Sequence, residues 1–339
     1  YMIEIPADFN KKLLEKFPHD PTIKQRKLFT LLSNFIFNEN KNALFLLKGY
    51  AGTGKTTTIG TFVNSLWTAG KKAVLLAPTG RAAKVISLYS KKPAFTIHKK
   101  IYFPKKQSNG SVAFVLQPNK HTNTVFIVDE ASMIPDGRQN QQLFDSSSLL
   151  DDLISYVYSG VNCKLIFIGD TAQLPPVKLS VSPALEQDTL TYDYHKEVTE
   201  IELDEVMRQH EDSGILANAT ALRLLLKNED EKFEFDVDFA DIERLEDGYD
   251  IEDAIVTAYE SNGVEDTAFI VRSNKRANEY NQQIRYNIRG QENEVSAGDY
   301  IMIVKNNYFW LPESSKAGFI ANGDICEVLK IFSIKELYG

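Results

Sequence analysis

A glycine-rich run early in the chain has residue types and a spacing that suit the binding of phosphate. Residues 49–56 read GYAGTGKT and fit the pattern G-x-x-x-x-G-K-[ST]. In this pattern the glycines let backbone N–H groups close around phosphate oxygens, and the start of the following helix adds a favourable dipole. Lys55 reaches the β- and γ-phosphates, and the hydroxyl of Thr56 ligates Mg²⁺. The spacing predicts a site for ATP and Mg²⁺, with contacts from Gly52, Thr53, Gly54, Lys55, Thr56 and Thr57.

Two neighbouring carboxylates follow an apolar run further along the chain. Val125–Val128 reads as a buried strand, and Asp129 and Glu130 come directly after it. In parallel sheets, ligands bind at the carboxyl ends of strands. Asp129 is therefore expected to hold Mg²⁺, directly or through water, and Glu130 to orient and deprotonate the attacking water. A surface turn is the alternative for any Asp-Glu pair, and the preceding apolar run disfavours it.

The elements around these residues predict an α/β fold. Up to about residue 210, short apolar runs alternate with helical patterns, which is typical of a parallel sheet covered by helices. A helix is predicted over Lys55–Ala69, ended by Gly70, with one apolar face formed by Ile59, Phe62, Val63, Leu66 and Trp67. The predicted buried strands are Ala43–Lys48, Ala73–Ala77, Val125–Val128 and Lys164–Ile168.

The remaining patterns predict an inserted hairpin and a second domain. The expected strands of the hairpin are Ile101–Phe103 and Val112–Leu116, around a turn at 108–110. We predict a first domain over 1–228 with the insertion at about 99–123, an acidic connector over 229–261, and a second domain over 262–339. In the second domain the expected strands are Ala268–Arg272, Tyr300–Val304 and Asp324–Ile331, and the expected helix is Lys275–Arg289.

Composition and charge narrow the function classes. Of the 339 residues 43% are hydrophobic and 25% charged, which is typical of a globular protein, and no apolar run reaches the length of a membrane span. Cys163 and Cys326 are too few for a disulfide framework or a zinc site, so we expect a cytoplasmic enzyme without a membrane partner.

The charges are unevenly distributed. The net charge of -8 argues against a nucleic-acid partner, but residues 71–120 hold eleven Lys or Arg and no acid. Residues 229–253 hold thirteen acids against two basic residues. The basic block suits a phosphate backbone, and a plain solvated face is the open alternative.

Several motifs stand in an order that resembles superfamily 1 helicases of the RecD/Dda group. The resemblance covers about residues 20–330. Gln25 resembles the glutamine that reads adenine in these helicases. The other motifs of the first domain are 49–57 as motif I, 76–84 as motif Ia, 96–99 as the next strand-contacting motif, 129–133 as motif II, 169–177 as motif III and 206–209 as motif IV. Residues 273–275 with Asn281 resemble the opening of the second motor domain, and 322–324 resemble the entry to an inserted barrel.

The resemblance implies a P-loop NTPase with a RecA-like parallel sheet, helices on both faces and a small β-hairpin insertion. It also implies the start of a second RecA-like domain with a β-barrel insertion. Lys55, Glu130, Gln173 and Arg208 would be catalytic, with Gln173 sensing the γ-phosphate and Arg208 neutralising charge on the transferred group. For Arg208, an ordinary surface arginine remains the alternative.

The same resemblance implies a strand of DNA as ligand. The implied contacts lie inside the basic block, and the hairpin with Phe103 and Phe114 occupies the place of a strand-separating pin. Packed aromatics are the alternative for the hairpin, and a capped or core histidine is the alternative for His98. The residues that match the DNA-contacting motifs are Pro78, Thr79, Arg81, Thr96, His98 and Lys99.

The implied activity is ATP-driven movement on single-stranded DNA and at duplex junctions, 5′→3′, in repair or recombination. A nuclease or repair-complex partner is compatible with it. The alternatives are a nucleotide-dependent DNA-binding subunit without motor activity and an RNA-directed superfamily 1 helicase. Motifs V and VI are not found after Asp324, so we expect these residues to belong to a longer protein and to hydrolyse ATP poorly by themselves.

Overall fold

The computed structural model describes residues 2–106, 112–135, 148–176, 179–205, 213–228, 232–264, 266–304, 310–311, 320 and 323–334. The chain divides into two compact units, one of Tyr1–Arg208 with Met302–Ile325 and one of Gln209–Ile301 with Cys326–Gly339. This division differs from the predicted boundaries at 228 and 261, and those domain bounds stay a prediction. None of the described helices has the length and apolar character that a membrane crossing requires.

A parallel sheet forms the centre of the first unit. The strands of this unit are β1 (Ala43–Gly49), β2 (Lys72–Ala77), β3 (Ala94–Thr96), β4 (Tyr102–Lys106), β5 (Val112–Leu116), β6 (Thr124–Val128), β7 (Lys164–Gly169) and β8 (Glu197–Leu203). The sheet has the strand order β3-β2-β6-β7-β1-β8, and every neighbouring pair is parallel. Strands β4 and β5 form a separate antiparallel hairpin. The predicted α/β fold is therefore confirmed.

Helices cover both faces of the sheet because alternate strand residues point to opposite sides. Phe45 and Leu47 pack under the first four helices, whereas Leu44 and Leu46 pack under the next two. Two apolar cores result, one on each face. The helices of this unit are α1 (Pro6–Lys16), α2 (Ile23–Phe37), α3 (Lys55–Ser65), α4 (Gly80–Ser90), α5 (Ile97–Ile101) and α6 (Leu149–Tyr158).

Three features of the first unit differ from the prediction. The first strand of the hairpin runs over Tyr102–Lys106 rather than Ile101–Phe103, because Ile101 is the last residue of α5. The α-helix after the phosphate loop ends at Ser65 and continues as a 3₁₀ turn over Leu66–Ala69. The tighter turn takes Trp67 off the apolar face, and its side chain is 68% exposed. Neither edge strand of the sheet was predicted: β3 pairs with β2 at one edge, and β8 pairs with β1 at the other. The alternation of Glu200 and Glu202 with Ile201 and Leu203 is the signal that identifies β8.

The second unit is mainly helical in its described part. It contains α7 (Gly214–Asn228), α8 (Gly248–Asn262) and α9 (Asn274–Gln283), followed by a π-helical turn over Ile284–Ile288. The short strands β9 (Tyr300–Met302) and β10 (Ile325–Glu327) form a two-stranded sheet, although Met302 and Ile325 are counted with the first unit in the division above. The strand predicted over Ala268–Arg272 is wrong, because those residues pair with no strand among the described ones. The inserted β-barrel stays a prediction.

Candidate functional site

The strand order brings the carboxyl ends of three adjacent strands together. The phosphate loop follows β1, Asp129 follows β6, and Gln173 follows β7, which lies between the other two. All three strands run parallel, so these segments leave the sheet at the same edge. That edge is where parallel α/β sheets bind ligands.

The phosphate loop closes between β1 and α3. Gly52 and Gly54 both have φ of 78°, a left-handed conformation that glycine adopts without steric cost. Gly54 is the N-cap of α3, so the first N–H groups of the helix open towards the loop. The amine of Lys55 donates hydrogen bonds to the carbonyl oxygens of Gly49 and, at 3.0 Å, of Tyr50. The loop, the helix start and one ammonium group thus combine the donors that a phosphate needs.

Gln25 is fully buried in α2, with its side chain against the phosphate loop. Its Nε2 donates to the carbonyl oxygen of Thr53 at 3.1 Å. Its Oε1 accepts from the backbone N–H of Thr22 at 3.0 Å and completes a capping box at the start of α2. The hydroxyl of Thr53 in turn donates to Tyr50. Gln25 therefore ties the backbone of the phosphate loop to the start of α2. Its contact with adenine stays a prediction.

The acidic pair sits on a sharp turn at the end of β6. The N–H of Asp129 still donates to Leu76 of β2 at 3.0 Å, whereas Glu130 has φ 56° and ψ 37°. A left-handed conformation costs a non-glycine residue on the order of 1–3 kcal/mol, and such residues cluster at functional sites. The N–H of Glu130 donates to Oδ1 of Asp129 at 2.9 Å. The turn therefore holds both carboxylates at the sheet edge.

Gln173 connects the acidic turn to the segment after β7. Its Oε1 accepts from the hydroxyl of Ser132 at 3.0 Å, and its side chain is hydrogen-bonded to the carboxylate of Glu130. Buried Asp170 shapes the turn that carries Gln173, because its Oδ1 accepts from Ala172 N–H at 2.8 Å. The turn that carries Gln173 is therefore hydrogen-bonded to the acidic turn.

The charges at this edge suit a divalent cation. Burial raises the pKa of Asp129 and of Glu130; the charge of Asp129 raises the pKa of Glu130 further, whereas the bond from Gln173 lowers it. Thr56 is exposed on the first turn of α3 and offers a hydroxyl. Among the described residues, no group of three or more His, Cys, Asp or Glu could hold a metal. The carboxylate of Asp129 and the hydroxyl of Thr56 are nevertheless a suitable donor set for Mg²⁺, which usually takes one or two carboxylates besides phosphates and waters.

Two residues of the site were missed by sequence analysis. The hydroxyl of Tyr89 donates to Oδ2 of Asp129 at 2.7 Å, and Ser132 donates to Gln173. Ser132 stands within motif II, which is a signal that could have found it. Tyr89 has no such signal, because a position in a helix says nothing about a partner 40 residues away.

Gly169 at the end of β7 gives a test of how tightly this edge is packed. A β-carbon there would lie 2.7 Å from Cδ1 of Leu185 and 3.2 Å from the backbone nitrogen of Ser132. We expect Gly169→Ala to lower the free energy of unfolding by about 1–3 kcal/mol, as overpacked cores do. Urea denaturation measures the change. Gly248→Ala is the matched control, since nothing lies within 4 Å of its β-carbon position; equal stability of the two variants would contradict the packing argument.

The residues predicted to contact DNA lie just before and within the first turns of α4 and α5. The hydroxyl of Thr79 caps α4 by accepting from Ala82 N–H at 3.2 Å, and that of Thr96 caps α5 by accepting from Lys99 N–H at 3.2 Å. Thr96 is buried, which favours capping as its role. Arg81 is exposed on the first turn of α4. Pro78 and Lys99 are half-buried, and all these DNA contacts stay predictions.

The surroundings of His98 suit a core histidine better than a charged side chain that contacts a DNA phosphate. Burial lowers the pKa of His98, so its ring is neutral at pH 7, and it lies 5.8 Å from the ring of Tyr102. A contact of this ring with phosphate would be a neutral hydrogen bond.

A groove of about 310 Å³ lies between α4 and the segment from β3 to α5. The residues that line it include Gly80, Lys84, Phe95, Thr96, Lys99 and Asp324.

Some predicted residues lie outside the described part of the chain. Arg208 and the rest of motif IV are among them, so the structure is silent on the predicted role of Arg208. The same holds for the hairpin turn at 108–110, for the end of motif III at Val177, and for Asn322.

The fold and the site together define a P-loop NTPase with a RecA-like parallel sheet. The AAA_30 family, described as an AAA domain, matches residues 36–238. The chain therefore belongs to that family, and its sequence is similar to those of proteins named as dda and RecD2 DNA helicases.

Relatives with similar sequences include proteins of viruses and bacteria. Protein R530 of Acanthamoeba polyphaga mimivirus, which is uncharacterised, is 30% identical over 207 residues, 55% of this chain and 38% of its own length. The ATP-dependent DNA helicase dda of Enterobacteria phage T4 is 30% identical over 207 residues, 60% of this chain and 43% of its own. The ATP-dependent RecD2 DNA helicase of Deinococcus radiodurans is 32% identical over 135 residues, 40% of this chain and 16% of its own. The chain thus spans less than half the length of these relatives.

Proposed function

We propose that this chain is the ATP-hydrolysing part of a motor that moves along single-stranded DNA. The observation that supports it most strongly is that Gln173 accepts a hydrogen bond from Ser132 and is also hydrogen-bonded to Glu130. A phosphate loop alone suits many nucleotide-binding proteins. A hydrogen-bonded link from the catalytic carboxylate to a separate turn suits an enzyme that converts hydrolysis into movement.

Each residue at the carboxyl edge of the sheet has its own part in ATP hydrolysis. Lys55 and the backbone N–H groups of the loop bind the phosphates, and Thr56 with Asp129 would hold Mg²⁺. When bound, Mg²⁺ would supply positive charge that offsets the negative charge of the phosphates. Glu130 orients the attacking water and takes up its proton, and its raised pKa, caused by burial, moves it towards the range of a base that works near neutral pH. Gln173 senses whether the γ-phosphate is present.

The DNA strand would follow the surface at α4 and α5. The groove beside Lys84, Phe95 and Lys99 offers two ammonium groups and an aromatic ring that is 37% exposed. Ammonium groups bind phosphates and an aromatic ring stacks on a base, so such a surface grips a strand without reading its sequence. The carboxylate of Asp324 also lines this groove and opposes a phosphate there.

The test is the ATPase rate of the full-length protein, measured alone, with single-stranded DNA and with RNA of equal length. We expect strong stimulation by DNA, little by RNA, and unwinding of a duplex with a 5′ tail. The relatives named as DNA helicases support this expectation.

Three results would point elsewhere. Equal stimulation by RNA would favour an RNA-directed helicase. DNA binding that responds to nucleotide, without stimulated hydrolysis, would favour a binding subunit of a repair complex. Unwinding of 3′-tailed duplexes alone would contradict the proposed 5′→3′ direction.

The hairpin of β4 and β5 is proposed to separate the strands of a duplex. Its base is anchored, because the hydroxyl of Tyr102 donates to Oδ2 of Asp152 in α6 at 2.5 Å. Phe103 is 40% exposed, whereas Phe114 packs against the core under α5 and α6. Phe103 is therefore the aromatic side chain that is open to a base.

Replacement of Phe103 by Ala should lower the unwinding rate about tenfold, since stacking of a base on an aromatic ring contributes about 1–3 kcal/mol. DNA-stimulated ATPase should be unchanged. Strand-displacement and ATPase assays on the same preparation measure both, with Tyr192→Ala as a control at another exposed ring. A parallel loss of both activities would rule out a strand-separating role for Phe103.

A further inference from the structure

The hydrogen bond from Tyr89 to Asp129 joins two elements that the proposed function uses separately. Tyr89 stands one residue before the end of α4, the helix that begins beside the predicted DNA contacts. Asp129 directly follows β6 and is the carboxylate assigned to Mg²⁺. The 2.7 Å bond makes α4 a support for that carboxylate.

The surroundings fix Tyr89 in place. A β-carbon at Gly60 in the middle of α3 would lie 3.4 Å from the carbonyl oxygen of Tyr89 and 3.8 Å from its Cδ2. The absence of a side chain at Gly60 therefore lets Tyr89 lie against α3. Tyr89 also packs at the edge of the apolar core on this face of the sheet. A ring held by two helices offers its hydroxyl at a defined point.

Both oxygens of Asp129 receive one donor each. Oδ2 accepts from the hydroxyl of Tyr89, and Oδ1 accepts from the N–H of Glu130 at 2.9 Å. A carboxylate oxygen has two acceptor directions, so one direction on each oxygen remains for a cation. The two bonds orient the carboxylate before a cation binds. Cation binding therefore does not have to restrict the conformation of the Asp129 side chain.

We propose that Tyr89 is a positioning residue for Mg²⁺ that acts by holding the carboxylate of Asp129; this rests on the proposed Mg²⁺-ATPase function. Outer-shell partners of metal ligands typically change metal affinity by about 10–100-fold when they are removed. Loss of the hydroxyl alone removes this bond and leaves the packing of the ring.

The experiment compares Tyr89→Phe with Tyr194→Phe in the full-length protein. Tyr194 is the matched control, because its hydroxyl donates to a carboxylate oxygen of Asp151 at 2.6 Å, outside the nucleotide site. Mg²⁺ is titrated against the binding of a fluorescent ADP analogue and, separately, against the ATPase rate. Affinity for the ADP analogue without Mg²⁺ is measured in chelator.

We expect Tyr89→Phe to raise the half-saturating Mg²⁺ concentration about tenfold in both titrations. Affinity for ADP without Mg²⁺ should be unchanged, and the rate at saturating Mg²⁺ should approach that of the unaltered protein. Tyr194→Phe should match the unaltered protein throughout.

Two results would overturn the role of Tyr89. One is an unchanged Mg²⁺ dependence in Tyr89→Phe. The other is an equal loss of ADP affinity with and without Mg²⁺, which a damaged loop would cause. Failure of the proposed function itself is seen separately, because the unaltered protein would then show no Mg²⁺-dependent hydrolysis.

Discussion

Glu130→Gln should lower the rate of ATP hydrolysis by about 10²–10⁴-fold, the range that a general base contributes. The amide keeps the size of the side chain and its place beside Gln173, but it cannot take a proton from water. Glutamine also meets the same left-handed backbone at φ 56°, so the strain of the turn is unchanged. Binding of ATP should therefore persist while its hydrolysis is lost.

A steady-state ATPase assay and a nucleotide-binding titration on the same full-length protein separate these effects. Glu186→Gln is the control, because this glutamate accepts a bond from the hydroxyl of Thr189 and lies outside the site. A hydrolysis rate in Glu130→Gln within about tenfold of the unaltered protein would assign the base to another residue.

Lys55→Ala should weaken ATP binding and lower the rate of hydrolysis. The ammonium group carries the positive charge of the phosphate loop and donates to the carbonyl oxygens of Gly49 and Tyr50. Its loss takes a charge-assisted donor from the phosphates and two bonds from the loop itself. Removal of one such donor typically lowers a catalytic rate by about 10²–10³-fold, and ATP affinity should fall with it.

Both ATP affinity and hydrolysis are measured with and without single-stranded DNA. Lys41→Ala, at an exposed lysine just before β1, is the control and should behave as the unaltered protein. DNA-stimulated turnover that survives in Lys55→Ala would contradict the assignment of this loop as the ATP site. Because Lys55→Ala should weaken ATP binding and Glu130→Gln should not, the pair also separates binding from chemistry.

Local features of the site could be predicted from the sequence because they depend on neighbouring residues. The phosphate loop needs glycines where φ is positive and a helix directly after it, and Gly52, Gly54 and α3 meet both conditions. The central strands are recognisable because a strand buried on both faces is continuously apolar. The predicted strand at 268–272 was wrong, because an apolar run indicates burial but does not supply a partner strand.

The connections between these local features were decided by the tertiary structure. Gln25 reaches Thr53 across 28 residues, Tyr89 reaches Asp129 across 40, and Ser132 reaches Gln173 across 41. Each contact depends on which strands are neighbours and on how each helix crosses the sheet, and neither is written in local periodicity. The sequence by itself determined the groups that can bind ATP, whereas the order of β6, β7 and β1 determined that they meet at one edge.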